Sequence, residues 1–159
     1  DIDSNAIINC IEKGIPVIQK DLNNLPLDFS DKAFDVVILN QTIQEVMHPD
    51  KIIIEMLRIG KTAILGFPNF GTMNIRFSFL FKGKMPVTKE LPYSWYDTPN
   101  IHLSTIKDFK EYCKKNNIKI EKEVYLVKTK KNKDSVNYRK IKLNPNFRAE
   151  LAVFKIFIK

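Results

Sequence analysis

The sequence predicts an α/β fold with a mostly parallel β-sheet and an antiparallel hairpin at one edge. Apolar, β-branched runs such as 34–39 (Phe-Asp-Val-Val-Ile-Leu) are typical of strands that are buried on both faces. These runs alternate with segments whose apolar residues recur at helical spacing, which favours a parallel sheet. The last two predicted strands, 118–127 and 151–158, have no helical segment between them, and this predicts the hairpin.

The first elements are predicted from their caps and apolar patterns. Asp3 or Ser4 caps the first helix, whose spacing places Cys10 on the core side, and Gly14 ends it. A short strand over 15–19 follows, and then a turn-rich loop leads to the buried strand described above.

The remaining helices are predicted in the same way. Pro49 opens the second helix at a position where its missing N–H is harmless, and Gly60 ends it before a second buried strand. A cap at Ser104 or Thr105 opens the last helix, and Asp108 completes a capping-box pattern.

A single domain over residues 1–159 is predicted, since domains usually have roughly 100–200 residues. The 44% of apolar residues exclude a disordered chain. Residues 70–103 form an aromatic, proline-punctuated insertion, of a kind that more often covers a binding site than forms an inert loop. A short helix is expected over 77–81. No apolar run approaches the ~20 residues of a membrane helix, so no membrane association is expected.

The net charge of +8 is concentrated near the carboxyl end. Residues 1–102 carry 10 basic and 12 acidic side chains, whereas residues 103–159 carry 16 basic and 6 acidic ones. Lysine outnumbers arginine 22 to 4, although specific phosphate and base recognition favours arginine. We therefore expect a solvated basic loop over 128–147 and no nucleic-acid partner.

Two cysteines and two histidines favour neither a disulfide framework nor a zinc site, so a reduced, cytoplasmic setting without a metal is expected. The five glycines form no Gly-x-Gly phosphate loop, and no nucleophile elbow is present. His102 follows the aromatic insertion and precedes a helix cap, which makes it the candidate for pocket chemistry. His48 precedes a proline-started helix, where capping or exposure is expected.

Ligands of open α/β sheets bind beyond the carboxyl ends of the strands. That rule selects residues that follow or flank the predicted strands: Asp1, Asp3, Asp21, Leu22, Asn40, Gln41, Thr42, Pro68, Asn69 and Phe70. An acidic residue there can bond both ribose hydroxyls, and an Asp-Leu pair can bond and cover an adenine. Each residue has an alternative role in helix capping or in a turn, and both roles remain open.

Several stretches resemble the methionine biosynthesis protein MetW family, within the class I S-adenosylmethionine-dependent methyltransferases. They are 14–19 with Asp21-Leu22, 34–42, 55–60 and 66–71, and most specifically 85–88 (Met-Pro-Val-Thr) and 91–103 (Leu-Pro-Tyr-Ser-Trp-Tyr-Asp-Thr-Pro-Asn-Ile-His-Leu). The resemblance covers residues 1 to about 127 and implies a Rossmann-like sheet.

The resemblance also implies ligands and a partner. The cofactor of the full-length protein would be S-adenosylmethionine or S-adenosylhomocysteine, and homoserine O-acyltransferase would be the partner. Asp1 would bind the ribose, Asp21 and Leu22 the adenine, and Asn40 and Gln41 would lie near the methyl-bearing end. The substrate side would comprise Asn69, Tyr93, Trp95, Tyr96 and His102.

Residues 1–159 match neither the family's first strand nor its glycine-rich loop. In the family that strand is central, so its absence would leave residues 15–19 without a bridge to the sheet. We therefore expect the isolated 159-residue chain to be poorly stable and to bind no S-adenosylmethionine, which calorimetric titration can test.

Three functions remain open from the sequence. A methionine-pathway protein that acts with homoserine O-acyltransferase is favoured, and an active small-molecule methyltransferase is the alternative. Nucleic-acid binding through the basic tail is the third, and a weak salt dependence of any such binding would exclude it.

Overall fold

The structure is a computed structural model that describes residues 2–88, 92–131 and 135–158. Within these residues the helices are α1 (Ser4–Glu12), α2 (Pro49–Ile59), α3 (Met73–Lys82), α4 (Ile106–Lys115) and α5 (Pro145–Arg148). The strands are β1 (Phe34–Asn40), β2 (Gly60–Pro68), β3 (Lys119–Lys131), β4 (Ser135–Ile141) and β5 (Leu151–Phe157). No helix among the described residues is long and apolar enough to cross a bilayer.

The strands form one mixed sheet in the order β1-β2-β5-β3-β4, which confirms the α/β class. The antiparallel pairing of the strands predicted over 118–127 and 151–158 is also confirmed, since β3 and β5 pair in this way. The expected majority of parallel pairs needs correction, because β1 and β2 alone pair in parallel among the described strands. The connection from β3 to β4 is short, and short connections favour antiparallel neighbours. The chain then returns so that β5 enters between β2 and β3, antiparallel to both.

The position of the final strand also differs from the prediction. The hairpin was expected at an edge, but β5 lies inside the sheet between β2 and β3. The strand at the edge beyond β3 is β4, which the sequence did not predict. The expected basic loop 128–147 is therefore mostly a β3–β4 hairpin, in which Lys128 pairs with Tyr138. Lysines are well tolerated there, since charged side chains protect an edge strand from further pairing.

The amino-terminal segment departs from the prediction as well. Residues 15–20 have no regular secondary structure, and no described strand pairs with them. The α1 helix buries none of its residues, and Cys10 is only half-buried. Strand formation requires a neighbour for the backbone N–H and C=O groups, which local sequence cannot supply.

The predicted helix caps are confirmed. Asp3 accepts a hydrogen bond from the backbone N–H of Asn5 at 2.8 Å, and Gly14 follows α1 with a φ of 67°. Thr105 and Asp108 form the complete capping box of α4. The expected helix over 77–81 is longer than predicted and extends from Met73 to Lys82.

The core lies on the side of the sheet that α2 and α4 cover. Phe154 of β5 is fully buried, with ring centroids 5.8 Å from Phe67 and 4.7 Å from Phe109. The opposite face of β1 is open, since Val36 and Ile38 are 45% and 65% exposed. On the other face Val37 and Leu39 pack against the core but are only partly buried, so the prediction that this strand is buried on both faces is wrong for the described structure.

Candidate functional site

The carboxyl ends of β1 and β2 form the sheet edge to which the sequence assigned a ligand. Gln41 follows β1 with a φ of 53°, an uncommon conformation for a residue other than glycine. Its backbone N–H donates a 2.6 Å hydrogen bond to the carbonyl of Gly66 in β2. The chain therefore turns sharply as it leaves β1 and stays attached to the neighbouring strand.

Asn40 lies directly across Gly66. A Cβ at Gly66 would come within 2.3 Å of the Asn40 Oδ1, so only a glycine leaves room for this side-chain position. The structure thus brings Asn40 and Gln41 together at the predicted edge. The spacing of residues along the sequence gives no sign of this contact with β2.

Asp21 and Leu22 line a cavity of about 470 Å³, which we call the Asp21 cavity. Asp21 accepts hydrogen bonds through Oδ1 from the backbone N–H of Asn23 at 2.8 Å and from its side chain at 3.0 Å. The Asn23 side chain in turn accepts from the backbone N–H of Met47, which attaches this loop to the segment after β1. The other lining residues are Ile2, Lys20, Asn23, Leu39, Thr42, Glu45 and Val46.

A second cavity of about 250 Å³, the Tyr93 cavity, opens at the same edge. The predicted residues Gln41 and Tyr93 both line it. The remaining lining residues come from the segment after β1, the ends of β2 and β5, the aromatic insertion and the β3–β4 hairpin: Gln44, Glu45, Pro68, Pro92, Pro99, Asn100, Lys128, Tyr138, Glu150 and Leu151. Glu45 lines both cavities, so the two cavities adjoin.

Gln44 holds the insertion against the segment after β1. Its backbone carbonyl accepts from the N–H groups of Ile101 at 2.8 Å and His102 at 3.0 Å. Its side chain is buried, and its Nε2 donates a 2.8 Å hydrogen bond to the carbonyl of Gln41. The Oε1 of Gln44 is also buried and has no hydrogen-bond partner within the described parts of the chain.

Other predicted substrate-side residues lie away from the Tyr93 cavity. The His102 Nε2 is 3.3 Å from the carbonyl oxygen of Met47. His102 lines a third, mostly apolar cavity of about 190 Å³, which shares Gln44 with the Tyr93 cavity. Trp95 and Tyr96 pack edge to face and are 75% and 76% exposed, and neither lines the Asp21 or the Tyr93 cavity.

Asn69 is buried, with both ends of its amide bonded to backbone. Its Nδ2 donates to the carbonyls of Asn146 and Ala149, and its Oδ1 accepts from the N–H groups of Gly71 and Ile106. These contacts join three segments of the chain and leave no amide atom directed at a ligand. Asp1 lies outside the described residues.

The sequence did not predict Gln44, Glu45 or Glu150 as site residues. Glu45 and Gln44 follow the strand end by several residues, beyond the positions that the strand-end rule selects. Glu150 precedes β5, whose insertion between β2 and β3 brings it to this edge.

Cys113 lies in the core and is not suited to act as a nucleophile, because burial raises the pKa of its thiol to about 11.

Several solved structures with a similar fold are S-adenosylmethionine-dependent methyltransferases. The enzyme from Thermotoga maritima aligns over 100% of this chain and 71% of its own, with a TM-score of 0.66 and 16% identity. The one from Archaeoglobus fulgidus aligns over 98% of this chain and 73% of its own, with a TM-score of 0.61 and 12% identity. At these identities the likeness shows the fold, which is the class I methyltransferase fold that the resemblance implied.

Sequence comparison narrows the family. The bifunctional methionine biosynthesis protein MetXA/MetW of Rhodopirellula baltica is 39% identical over 114 residues, which cover 71% of this chain and 18% of that protein. The chain thus spans less than a fifth of the length of this relative. The family model for the methionine biosynthesis protein MetW matches residues 1–156. Since this match includes nearly every residue, the chain belongs to the MetW family of methionine biosynthesis proteins.

Proposed function

We propose that this protein acts with homoserine O-acyltransferase in methionine synthesis and that its full-length form binds S-adenosylmethionine or S-adenosylhomocysteine. The observation that carries the partner is the bifunctional relative, in which MetXA and MetW share one chain. We infer that its MetXA part is the acyltransferase. Two proteins that are fused into one chain in one organism are expected to bind each other where they are separate chains.

The surface of the molecule supports a protein partner. Leu80 and Phe81 of α3 are 73% and 76% exposed, and the Phe77 ring stacks on Phe81 with centroids 5.8 Å apart. Trp95 and Tyr96 add two further exposed aromatic rings. Exposed apolar groups of this size are typical of surfaces that bind another protein.

Co-purification of the full-length gene product with the acyltransferase tests this partnership. We expect a stable complex, and we expect the Leu80→Ser, Phe81→Ser double variant to bind about tenfold more weakly. The control is Ile11→Ser, which removes an apolar side chain of α1 that is 63% exposed. Failure of the wild-type proteins to associate at micromolar concentrations would contradict the proposal.

The Asp21 cavity supports a nucleoside ligand. Its volume lies in the range of small-molecule pockets, about 300–1,000 Å³. Asp21 offers carboxylate oxygens for an amino or hydroxyl group, and Leu22 offers an apolar surface for a ring. When bound, the cofactor supplies a methyl group activated by its sulfonium, while Asp21 and Leu22 hold and orient the nucleoside.

Titration calorimetry with S-adenosylhomocysteine on the full-length gene product measures that interaction. The Asp21→Ala variant should bind at least about tenfold more weakly, because a charge-assisted hydrogen bond is lost. The Glu111→Gln variant is the control, since this carboxylate lies on α4 and is 68% exposed. Equal affinities of the Asp21→Ala and wild-type proteins would remove Asp21 from the site.

Methyl transfer to a small molecule is the second candidate function. The observation that favours it is Glu45, which lines both cavities and so places space for an acceptor beside the proposed cofactor site. Transfer of a labelled methyl group to cell metabolites would support an enzyme. Unchanged methionine synthesis in cells that carry Asp21→Ala would support a role that needs the partner contact alone.

A further inference from the structure

We propose that α3 docks on the acyltransferase as a helix in an apolar groove whose rim is acidic. The inference rests on the proposed partnership and deepens it, because it names the contacting face of this chain and the chemistry that the partner presents. The exposed apolar residues of that face, which we call the α3 stripe, are Met73, Phe77, Leu80 and Phe81.

The α3 stripe lies on one side of its helix. At about 100° per residue its members span about 100° of the helix circumference, centred opposite the buried Ile75. Their spacing of i, i+4, i+7 and i+8 is the pattern with which an amphipathic helix fills an apolar groove. Leu80 and Phe81 are 73% and 76% exposed, so no described part of the chain covers this end of the stripe.

The first turn of α3 holds the helix to the body of the protein. Ile75 is buried and packs with Phe70. The Arg76 Nε donates a 2.7 Å hydrogen bond to the carbonyl of Gly71, and the guanidinium carbon lies 4.7 Å from the centre of the Phe147 ring. These contacts fix the orientation of the stripe before a partner arrives, which lowers the entropy lost on binding.

The charge around the stripe selects its occupant. Residues 70–88 contain three basic side chains and no acidic one. Lys82 and Lys84 are exposed, and neither forms an ion pair within the described ranges. A second copy of this chain would bring like charges together, whereas carboxylates at the rim of a partner's groove attract them. The bifunctional relative carries MetXA and MetW in one chain, so we assign the stripe to the acyltransferase.

Two phenylalanines of α3 form a matched pair for calorimetric titration of the acyltransferase with the full-length gene product. Phe77 and Phe79 are each 47% exposed, but Phe79 lies about 160° away around the helix, outside the stripe. We expect Phe77→Ser to weaken binding at least about tenfold and Phe79→Ser to leave it within about twofold. Equal losses in the two variants would overturn the inference, because exposed apolar area and not an oriented stripe would then decide binding.

Charge reversal tests the acidic rim. The Lys82→Glu, Lys84→Glu double variant should slow association about fivefold or more at about 50 mM salt. The difference should shrink at about 500 mM salt, because ions screen exposed charges. The control is Lys114→Glu, Lys115→Glu, which makes the same change of charge at the exposed end of α4. Equal association rates of the two double variants would contradict an acidic rim.

Further outcomes separate this inference from the partnership on which it rests. Wild-type proteins that do not associate would overturn both, whereas association that Phe77→Ser and Leu80→Ser leave unchanged would overturn the docking mode alone. An unfolding temperature of Phe77→Ser more than about 5 °C below that of Phe79→Ser would show that the full-length chain itself covers the stripe, and would overturn the inference. Binding to anionic phospholipid vesicles that Phe77→Ser abolishes would assign the stripe to a lipid surface instead.

Discussion

Asn69 Nδ2 donates a 2.8 Å hydrogen bond to the carbonyl oxygen of Ala149, and both residues are buried. This contact joins the end of β2 to the start of β5, which are 80 residues apart in sequence. The Oδ1 of the same side chain accepts from the first backbone N–H of α4. One amide therefore fixes the relative positions of two strands and a helix beside the proposed site.

Replacement of Asn69 by alanine should destabilise the protein by about 2–4 kcal/mol, since several buried backbone groups would lose their partner. Urea unfolding of the variant and the wild type measures the difference. The control is Asn5→Ala, an exposed asparagine of α1, for which we expect a change within about 0.5 kcal/mol. A loss below about 1 kcal/mol for Asn69→Ala would show that water replaces the amide without cost.

Arg58 and Glu55 connect α2 to the turn-rich loop that leads to β1. The Arg58 guanidinium donates to Glu55 and to the carbonyls of Leu27 and Phe29, and Glu55 also accepts from the Leu27 N–H. Arg58→Ala removes the charged partner of buried Glu55 and the donor to two part-buried carbonyls, so we expect a loss of about 2–3 kcal/mol. Arg58→Lys should recover only part of it, because an ammonium lacks the planar set of donors. Equal unfolding midpoints for the alanine variant and the wild type would contradict this network's importance.

The same contacts predict a dependence of stability on pH. The hydrogen bond from Arg58 lowers the pKa of Glu55 below its ordinary value of 4.5. A depressed folded-state pKa means that this stabilisation is complete above the unfolded value and is lost as the pH falls through the folded value. Glu55→Gln should therefore be less stable than the wild type at pH 7, and the difference should shrink below pH 4.5. Unfolding curves from pH 7 to about pH 3 measure it, and a constant difference would contradict the prediction.

The range of the contacts that form each element explains why the sequence predicted some elements and not others. The caps at Asp3 and at Thr105 depend on residues within one helical turn, so the local pattern was sufficient. The strand expected over 15–19 depends on a neighbouring strand, which no local pattern supplies. The β3–β4 hairpin was missed because its lysines suggested a solvated loop, whereas alternating side chains on an edge strand are equally solvated.

The candidate site likewise contains residues that the sequence predicted and residues that it could not predict. Asp21, Leu22, Asn40 and Gln41 were predicted because the residues that follow strands meet at one edge of a sheet. Glu150 and Gln44 could not be predicted, since their positions depend on the insertion of β5 into the sheet and on burial. Asn69 obeys the strand-end rule but faces the protein, because the rule gives the edge and not the direction of a side chain.

The absence of a side chain at Gly66 leaves the space that the Asn40 side chain occupies. Gly66→Ala would place a methyl group 2.3 Å from the Asn40 Oδ1, and this flexible side-chain end can rotate away. In Gly60→Ala the new methyl group would meet Val37 at 2.7 Å and two backbone carbonyls at 3.0 Å, which cannot move as readily. We expect the alanine at 60 to cost more stability, about 1–3 kcal/mol.

The order of the two glycine variants should be reversed for ligand affinity, which Gly66→Ala should lower more than Gly60→Ala. If Asn40 contacts the cofactor, Gly66→Ala displaces it and should weaken S-adenosylhomocysteine binding by the full-length protein about tenfold. Gly60 begins β2 at the far end, so Gly60→Ala should leave affinity nearly unchanged in the folded fraction. Unaltered affinity in Gly66→Ala would mean that Asn40 makes no contact with the ligand.

The two cysteines should differ strongly in reactivity. Cys113 is 1% exposed, and burial raises its pKa to about 11, so at pH 8 only about 0.1% of it is thiolate. Cys10 is half-buried on α1, a helix that buries none of its residues. A disulfide reagent at pH 8 should therefore modify Cys10 rapidly and Cys113 only as fast as the fold opens. The Cys10→Ser variant should lose the fast phase, and 6 M guanidinium (about the strength that unfolds most domains) should restore reaction at Cys113. A fast phase that persists in Cys10→Ser would place Cys113 within reach of solvent and contradict the packing of α4 against the core.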